Sequence, residues 1–285
     1  MPNILDLRRR IRSVKNTQQI TRAMKMVAAA KLRRAQEQVV GARPYARQMT
    51  ALLESLAART SNRDHPLLAE RPVRTVLLVL VTADRGLCGA FNANLIRAAQ
   101  KYMEENQTKG ILLIAAGRKG RDYFRRRSVK MPAEYVNIFS RRVELSHARE
   151  LAQKIIDLYT SKTVDAVDVI YNEFKSILTQ RLVAERILPV KPQAPAETEN
   201  LVDYIYEEPP DEIFNHLLPR YVEAEIYRAL VESQAAEFAA KMTAMDAATR
   251  NAGDLIDLYT LNLNRVRQAK ITTEIIEIVS GATAQ

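Results

Sequence analysis

Residues 18–36 read QQITRAMKMVAAAKLRRAQ, with five positive charges, no negative charge, no Gly and no Pro. The lack of breakers argues for a helix, and the small side chains among the large ones let a second backbone come close. Outward from this stretch, Asn3 to Val40 contains neither Gly nor Pro. Ile4, Leu7, Ile11 and Val14, then Ala28, Leu32, Ala35 and Val39, recur at the 3-4 spacing of a coiled-coil stripe. The same register puts Gln18, Thr21 and Lys25 on that stripe, so the seam turns polar for about two turns, and Ile20, Met24 and Val27 point elsewhere. Gly41 and Pro44 predict a kink, after which YARQMTALLESLAART resumes the helical pattern to residue 60.

A stripe needs a mate, and the far end of the chain supplies one. From Arg220 to Ser280 there is one Gly, Gly253, and no Pro. One helix of that length spans about 90 Å, far beyond the usual globular helix. Ala252, Leu255, Tyr259, Val266, Ala269 and Ile276 follow a 3-4-7 pattern with Thr273 between, and residues 235–253 are alanine-rich. The two ends therefore read as an antiparallel coiled coil. Between them, RTVLLVLVTADRGLCG reads as a buried strand and turn, FNANLIRAAQKYMEEN as a helix, GILLIAAG as a strand, RKGRDYFRRR as a short helix and AEYVNIF as a strand. SHARELAQKIIDLYTS is a helix, VDAVDVIYNEF a strand, and SILTQRLVAERILPV one further strand ending at Pro189. This alternation predicts a parallel Rossmann-like α/β sheet with helices on both faces. The expected divisions are a long helix over 1–60, an α/β domain over 72–192, a proline-rich acidic loop over 193–212 and a long helix over 213–285.

Composition narrows the function classes. The net charge of +10 falls wholly on residues 1–50, where twelve Lys or Arg face only Asp6 and Glu37; a second basic cluster, Arg118 to Lys130, is offset by acids between Glu197 and Glu225. A single cysteine, Cys88, rules out an intramolecular disulfide framework. No apolar run approaches the roughly 20 residues that span a bilayer. The Arg-rich start lacks an apolar core for a signal peptide and continues as helix past residue 30, so it reads as part of the mature protein.

The motifs that carry chemistry are incomplete. DRGLCGAF (84–91) and GRKG (117–120) both follow strands, where α/β folds bind phosphates, but neither completes G-x-G-x-x-G or a Walker loop. Tight-turn geometry accounts for both sets of glycines. His65, His147 and His216 are isolated, Cys88 has no sequence-adjacent base, and no metal-ligand spacing occurs, so the residues give no catalytic, cofactor or metal site. The basic N-terminal helix leaves two readings. One is a coiled-coil nucleic-acid binder, against which residues 1–44 lack any aromatic to stack on bases; the other is a helix facing an acidic protein partner.

Three segments in order decide between them. IRSVKNTQQITRAMKMVAAAKLRRAQ, TADRGLCGAFNANL and RQAKITTEIIEIVSGATA together resemble the gamma subunits of the rotary F-type ATP synthases, in their bacterial form, over essentially the whole chain. The resemblance implies a coiled-coil shaft with an inserted Rossmann-like domain. It implies a non-catalytic rotor, in single copy, inside a ring of three alpha and three beta subunits, its globular part resting on the c ring with the epsilon subunit nearby. Proton flow through the membrane sector would turn it, with the complex at the cytoplasmic face of the cell membrane. Beta-subunit contacts carried over from the resemblance are Met24 and Lys25 on the first helix, Arg85 and Cys88 in the turn, and Arg267, Gln268 and Thr272 on the last helix. Tyr204, Tyr206, Glu207 and Glu208 of YIYEEP match the segment at the c ring and epsilon. The plant chloroplast version carries an inserted segment with paired cysteines; this chain has neither.

Overall fold

The computed structural model describes residues 3–59, 65–140, 142–191 and 210–283. Along the chain they form α1 (Ile4–Arg59), β1 (Thr75–Val81), α2 (Phe91–Glu105), β2 (Gly110–Ala116), α3 (Arg118–Arg125), β3 (Ala133–Tyr135), α4 (Leu145–Thr160), β4 (Ala166–Phe174), β5 (Gln180–Leu188) and α5 (Pro210–Thr283). They divide into two compact units, one of Met1–Ala29 with Lys241–Gln285, the other of Ala30–Ala240.

In the first unit α1 and α5 pair antiparallel, along the stripe the spacing predicts. Leu7, Thr21 and Ala28 are buried on α1, with Ile11, Val14, Gln18 and Lys25 half-buried between them. Met245 and Ala252 are buried on α5, with Thr249, Ile256, Tyr259 and Val266 half-buried. The polar layer closes on itself. The Thr21 hydroxyl donates to the Gln18 carbonyl at 3.0 Å, the Thr249 hydroxyl lies 2.8 Å from that of Thr21, and Gln18 Nε2 donates to the Thr249 carbonyl at 3.4 Å.

The seam on α5 departs from the expected one. Leu255 and Ile276 are 41% and 58% exposed, and Ala269 is exposed too. Leu255 sits one residue off the stripe, about 100° round the helix, and Ile256 takes its place. With Lys25 opposite Asp246, α1 begins about 21 residues before the pair, so the partnered part of α5 ends about 21 residues after it, near Arg267. Every residue from Arg267 to Ser280 is exposed.

The second unit is built on a five-stranded sheet in the order β3-β2-β1-β4-β5. β1 pairs parallel with β2 and β4, and β2 parallel with β3. All of β1 beyond Thr75, and all of β4 except Glu173, is buried, as central strands covered on both faces require. β5 is antiparallel to β4. The link Lys175–Thr179 is far too short for a parallel crossover, and it closes as a turn in which the Ser176 and Thr179 backbones bond at 3.0 Å.

Three sequence expectations are adjusted here. AEYVNIF is strand only over Ala133–Tyr135, followed by a 3-10 turn at Ile138–Ser140. Asn137 takes φ = 65°, and the amides of Asn137 and Phe139 turn away from the ladder to a carboxylate. α5 starts at Pro210, ahead of the expected boundary at 213, and runs through Pro219. Proline is pre-organised for the first helical position, whereas Pro219 stands within the helix, where it lacks a donor and its ring crowds the carbonyl four residues back. Helix α1 likewise runs unbroken through Gly41 and Pro44.

Within this unit Leu32, Val39 and Leu53 of α1 and Leu230, Ala235 and Ala239 of α5 are all 3% exposed or less. Buried Glu232 on α5 receives Arg43 Nε of α1 at 2.8 Å, Arg43 Nη2 at 3.1 Å and the Phe174 amide of β4 at 2.9 Å. Beside it Arg228 bridges Glu225 and Glu185. Burial pushes the Glu225 carboxyl above its ordinary range, against the pull of Arg228.

Candidate functional site

The turn after β1 leaves the carboxyl end of the sheet where strand order reverses, between β1 and β4, the place at which open α/β sheets bind ligands. Here that place is filled from within the chain. The buried Asp84 carboxylate accepts the amides of Arg118 at 3.1 Å, Asn137 at 2.8 Å and Phe139 at 3.0 Å. An anion at the start of α3 with three converging amides is the usual phosphate arrangement, and Asp84 supplies that anion.

The glycines serve the same packing. Gly117 takes φ = 112°, and a Cβ there would stand 2.0 Å from the Thr82 carbonyl oxygen. The Gly120 amide donates to Thr82 Oγ1 at 2.9 Å. Asn92, on the first turn of α2, accepts the Ala83 amide at 2.9 Å and donates to Cys88 Sγ at 3.1 Å.

Of the two beta-contact candidates in this turn, Arg85 is exposed and Cys88 is 2% exposed. The outward position next to Cys88 belongs to Leu87, 62% exposed at φ = 65°. Its left-handed backbone is what turns Cys88 in and Leu87 out, and no residue type in the sequence signals it.

On the coiled-coil unit, Met24 and Lys25 are both half-buried. Lys25 Nζ donates to Asp246 Oδ1 at 2.5 Å, and Arg250 lies 3.3 Å from the other Asp246 oxygen. The hydrogen bond from Lys25 holds the Asp246 carboxyl below its ordinary range, with the charges of Lys25 and Arg250 adding to it against some desolvation. Asp246 is a residue the sequence reading missed. The signal was present, a lone acid flanking the stripe among alanines. Arg8, Arg9, Arg10, Arg12, Lys15 and Arg22 are exposed, and none pairs with a carboxylate among the described residues.

Arg267, Gln268 and Thr272 lie at the start of the exposed last stretch of α5, where the Thr272 hydroxyl donates to the Gln268 carbonyl at 3.0 Å. They lie about 30 Å along α5 from Asp246, so the first-helix and last-helix candidates form two surfaces and not one. The overhang beyond them carries Ile271, Ile275, Ile276, Ile278 and Val279, each 47–72% exposed. Tyr204, Tyr206, Glu207 and Glu208 lie outside the described residues.

A cavity of about 600 Å³ in the α/β unit is lined by Lys31, Arg34, Gln38, Ser140, Arg142 and Phe238, among others. It holds no nucleophile paired with a base. No helix among the described residues is long and apolar enough to cross a membrane.

Comparison with known proteins shows the family. The family model described as ATP synthase matches residues 3–285. The ATP synthase gamma chain of Solibacter usitatus is 52% identical over 288 residues, with 100% of this chain and 99% of the relative covered. That of Desulfitobacterium hafniense is 50% identical over 285 residues, with the same coverage. Among solved structures, a chain of the Tetrahymena thermophila mitochondrial ATP synthase central stalk and c-ring matches with a TM-score of 0.61 at 25% identity, covering 80% of this chain and 99% of that one. A chain of the Euglena gracilis mitochondrial ATP synthase OSCP/F1/c-ring structure matches with a TM-score of 0.69 at 20% identity, covering 99% and 94%.

Proposed function

This chain belongs to the ATP synthase family, among its gamma chains, and we propose from that premise that it is the central shaft through which rotation of a membrane-embedded c ring reaches a catalytic head of three alpha and three beta subunits. The observation that carries the reading is the antiparallel pairing of the two chain ends, locked by Lys25 against Asp246, which leaves α5 to run on alone with an apolar, exposed end. A shaft needs a stiff paired stretch and a surface that differs from side to side.

No active-site residue is required of such a part. One asymmetric shaft in contact with three chemically identical sites imposes a different conformation on each, provided its contacts differ between orientations. A bias of about 5.5 kcal/mol moves a two-state element from 1:99 to 99:1. The basic face from Arg8 to Arg34 suits an acidic partner segment, with Met24 and Lys25 as the contact on the paired stretch. Arg267, Gln268 and Thr272 make a second contact at the base of the overhang. In the α/β unit Arg85 and Leu87 are the outward groups of the turn, and Cys88 acts there by packing against Asn92. Tyr204, Tyr206, Glu207 and Glu208 are assigned to the c ring and epsilon by resemblance alone. The chain is a peripheral component on the cytoplasmic side of the membrane.

Affinity capture of the tagged chain from native membranes, followed by mass measurement of the intact complex, tests this. One copy with three alpha and three beta subunits, and ATPase activity that the head lacks without it, is the expected result. Recovery of the chain without them overturns the assignment. Nothing in the structure favours the nucleic-acid reading, since the basic stretch of α1 offers no stacking platform.

A further inference from the structure

The seven basic residues between Arg118 and Lys130 face a single acid in that stretch, Asp122, and the shaft reading leaves them unused. Only Arg121 is ion-paired, with Asp122 at 2.6 Å and Glu134 at 4.0 Å. Arg118, Lys119, Arg125, Arg126, Arg127 and Lys130 are all exposed, and none pairs with a carboxylate among the described residues. Two are held in place by neutral groups. Arg118 Nη2 donates to Asn137 Oδ1 at 2.7 Å, and the Arg127 guanidinium lies 3.7 Å from the Tyr123 ring centroid while donating to the Tyr123 carbonyl at 3.2 Å. Cations at the end of α3 gain a little from its dipole, but that accounts for the last turn and not for Arg118, Lys119 or Lys130.

What the patch lacks identifies its partner. Among the described residues no large hydrophobic side chain is exposed between Leu87 and Leu145. A protein partner is normally anchored by buried aromatic or aliphatic groups, with lysine depleted at the core of the contact. A single-stranded nucleic acid stacks its bases on aromatic faces, and Arg127 already covers the ring of Tyr123. A surface rich in cations, with no exposed large hydrophobic side chain on α3 itself, suits a diffuse layer of negative charge. From this we infer that the α3 face of the α/β unit binds the anionic phospholipid headgroups of the membrane surface. Juxtamembrane Lys and Arg are drawn to such a surface over about a Debye length. The inference rests on the shaft reading only for its location beside a membrane.

The test is co-sedimentation of the purified full chain with vesicles of phosphatidylcholine alone and of phosphatidylcholine containing about one third phosphatidylglycerol, at low salt and at about 0.5 M salt. Binding is expected to the anionic vesicles only and to vanish at high salt. R125E/R126E/K130E should weaken it at least tenfold, and R125Q/R126Q/K130Q by a smaller but measurable factor with an unchanged thermal midpoint. Reversal of Arg8, Arg9 and Arg10 on α1 supplies the comparison. Wild-type binding by both α3 variants overturns the inference, as does a loss matched by the α1 reversal or an equal affinity for a single-stranded oligonucleotide. Because the free chain is used, failure here leaves the capture experiment above unaffected, and failure of that experiment leaves lipid binding to be read directly.

Discussion

Lys25 Nζ stands 2.5 Å from Asp246 Oδ1 and joins residues 221 positions apart, at the level where the coiled-coil seam is polar. The side chains keep 42% and 35% of their surface in water, so solvent screens the attraction and the consequence lies in register more than in strength. The Asp246 carboxyl titrates below its ordinary range because Lys25 hydrogen-bonds it. The unfolded chain takes up that proton at higher pH than the folded chain does. The pair's contribution is therefore complete above the unfolded carboxyl value of about 3.9 and is lost as pH falls through the lower folded value. Asp246→Asn should lower the thermal midpoint at neutral pH and leave it indistinguishable from wild type in strong acid. A difference that persists in acid would assign the effect to something other than the charge.

Asp84 is the internal anion of the α/β unit. Replacing it with Ala strands three amides, two of them on the turn that ends β3. A buried donor left unpaired costs about 1–3 kcal/mol, and with partial relaxation a loss of about 3 kcal/mol is expected in urea unfolding. Asp84→Asn turns a donor toward other donors and should recover little of it. Millimolar ATP should not shift the wild-type midpoint, since the carboxylate occupies the place a phosphate would take. A nucleotide-dependent rise would reopen the phosphate reading.

Much of this arrangement was legible in the sequence, for reasons that also mark where legibility stopped. The 3-4 spacing from Ile4 to Val39 fixes one face of a helix, and a face that long has to be covered; the far end of the chain repeats that spacing from Ala252 onward. VLLVLV and VDAVDVIYNEF announce strands buried on both sides. Leu255 was misplaced because a stripe read one residue out still contains leucines, and only the register of α1 decides between Leu255 and Ile256. AEYVNIF looked like seven residues of strand because β-branched and aromatic types dominate it. The amides of Asn137 and Phe139 prefer the Asp84 carboxylate, a partner 53 and 55 residues away that no local pattern reveals. Whether Cys88 is exposed was not legible in the sequence; it is buried, beside Leu87 at positive φ.

Two glycines make a contrasting pair. At Gly117 a Cβ would lie 2.0 Å from backbone and the φ of 112° excludes ordinary side chains, so Gly117→Ala should cost at least about 3 kcal/mol or prevent folding. At Gly41, inside α1, nothing lies within 4 Å of a new Cβ. Gly41→Ala should therefore raise stability by about 0.5–1 kcal/mol, the ordinary helical preference. Denaturation midpoints of the two variants should move in opposite directions. A loss at Gly41 would mean that the helix interior there needs the freedom of glycine, for example to bend around Pro44.

Met24 is half-buried beside the Lys25–Asp246 pair and turns away from the buried seam. Met24→Lys adds a flexible cation that can extend into solvent along its aliphatic stem, so the coiled coil itself should lose little. It also adds a cation facing the acidic segment proposed on the beta subunit. Such a contact would be retained in some orientations of the shaft and resisted in others, which changes the relative energies of the three states without touching the catalytic chemistry. The assembled variant complex should hydrolyse ATP at close to the wild-type rate while pumping fewer protons for each ATP in membrane vesicles. The free chain should keep its thermal midpoint within a few degrees. Unchanged pumping would remove Met24 from the contact surface, and a collapsed midpoint would mean that the side chain supports the coil and not the coupling.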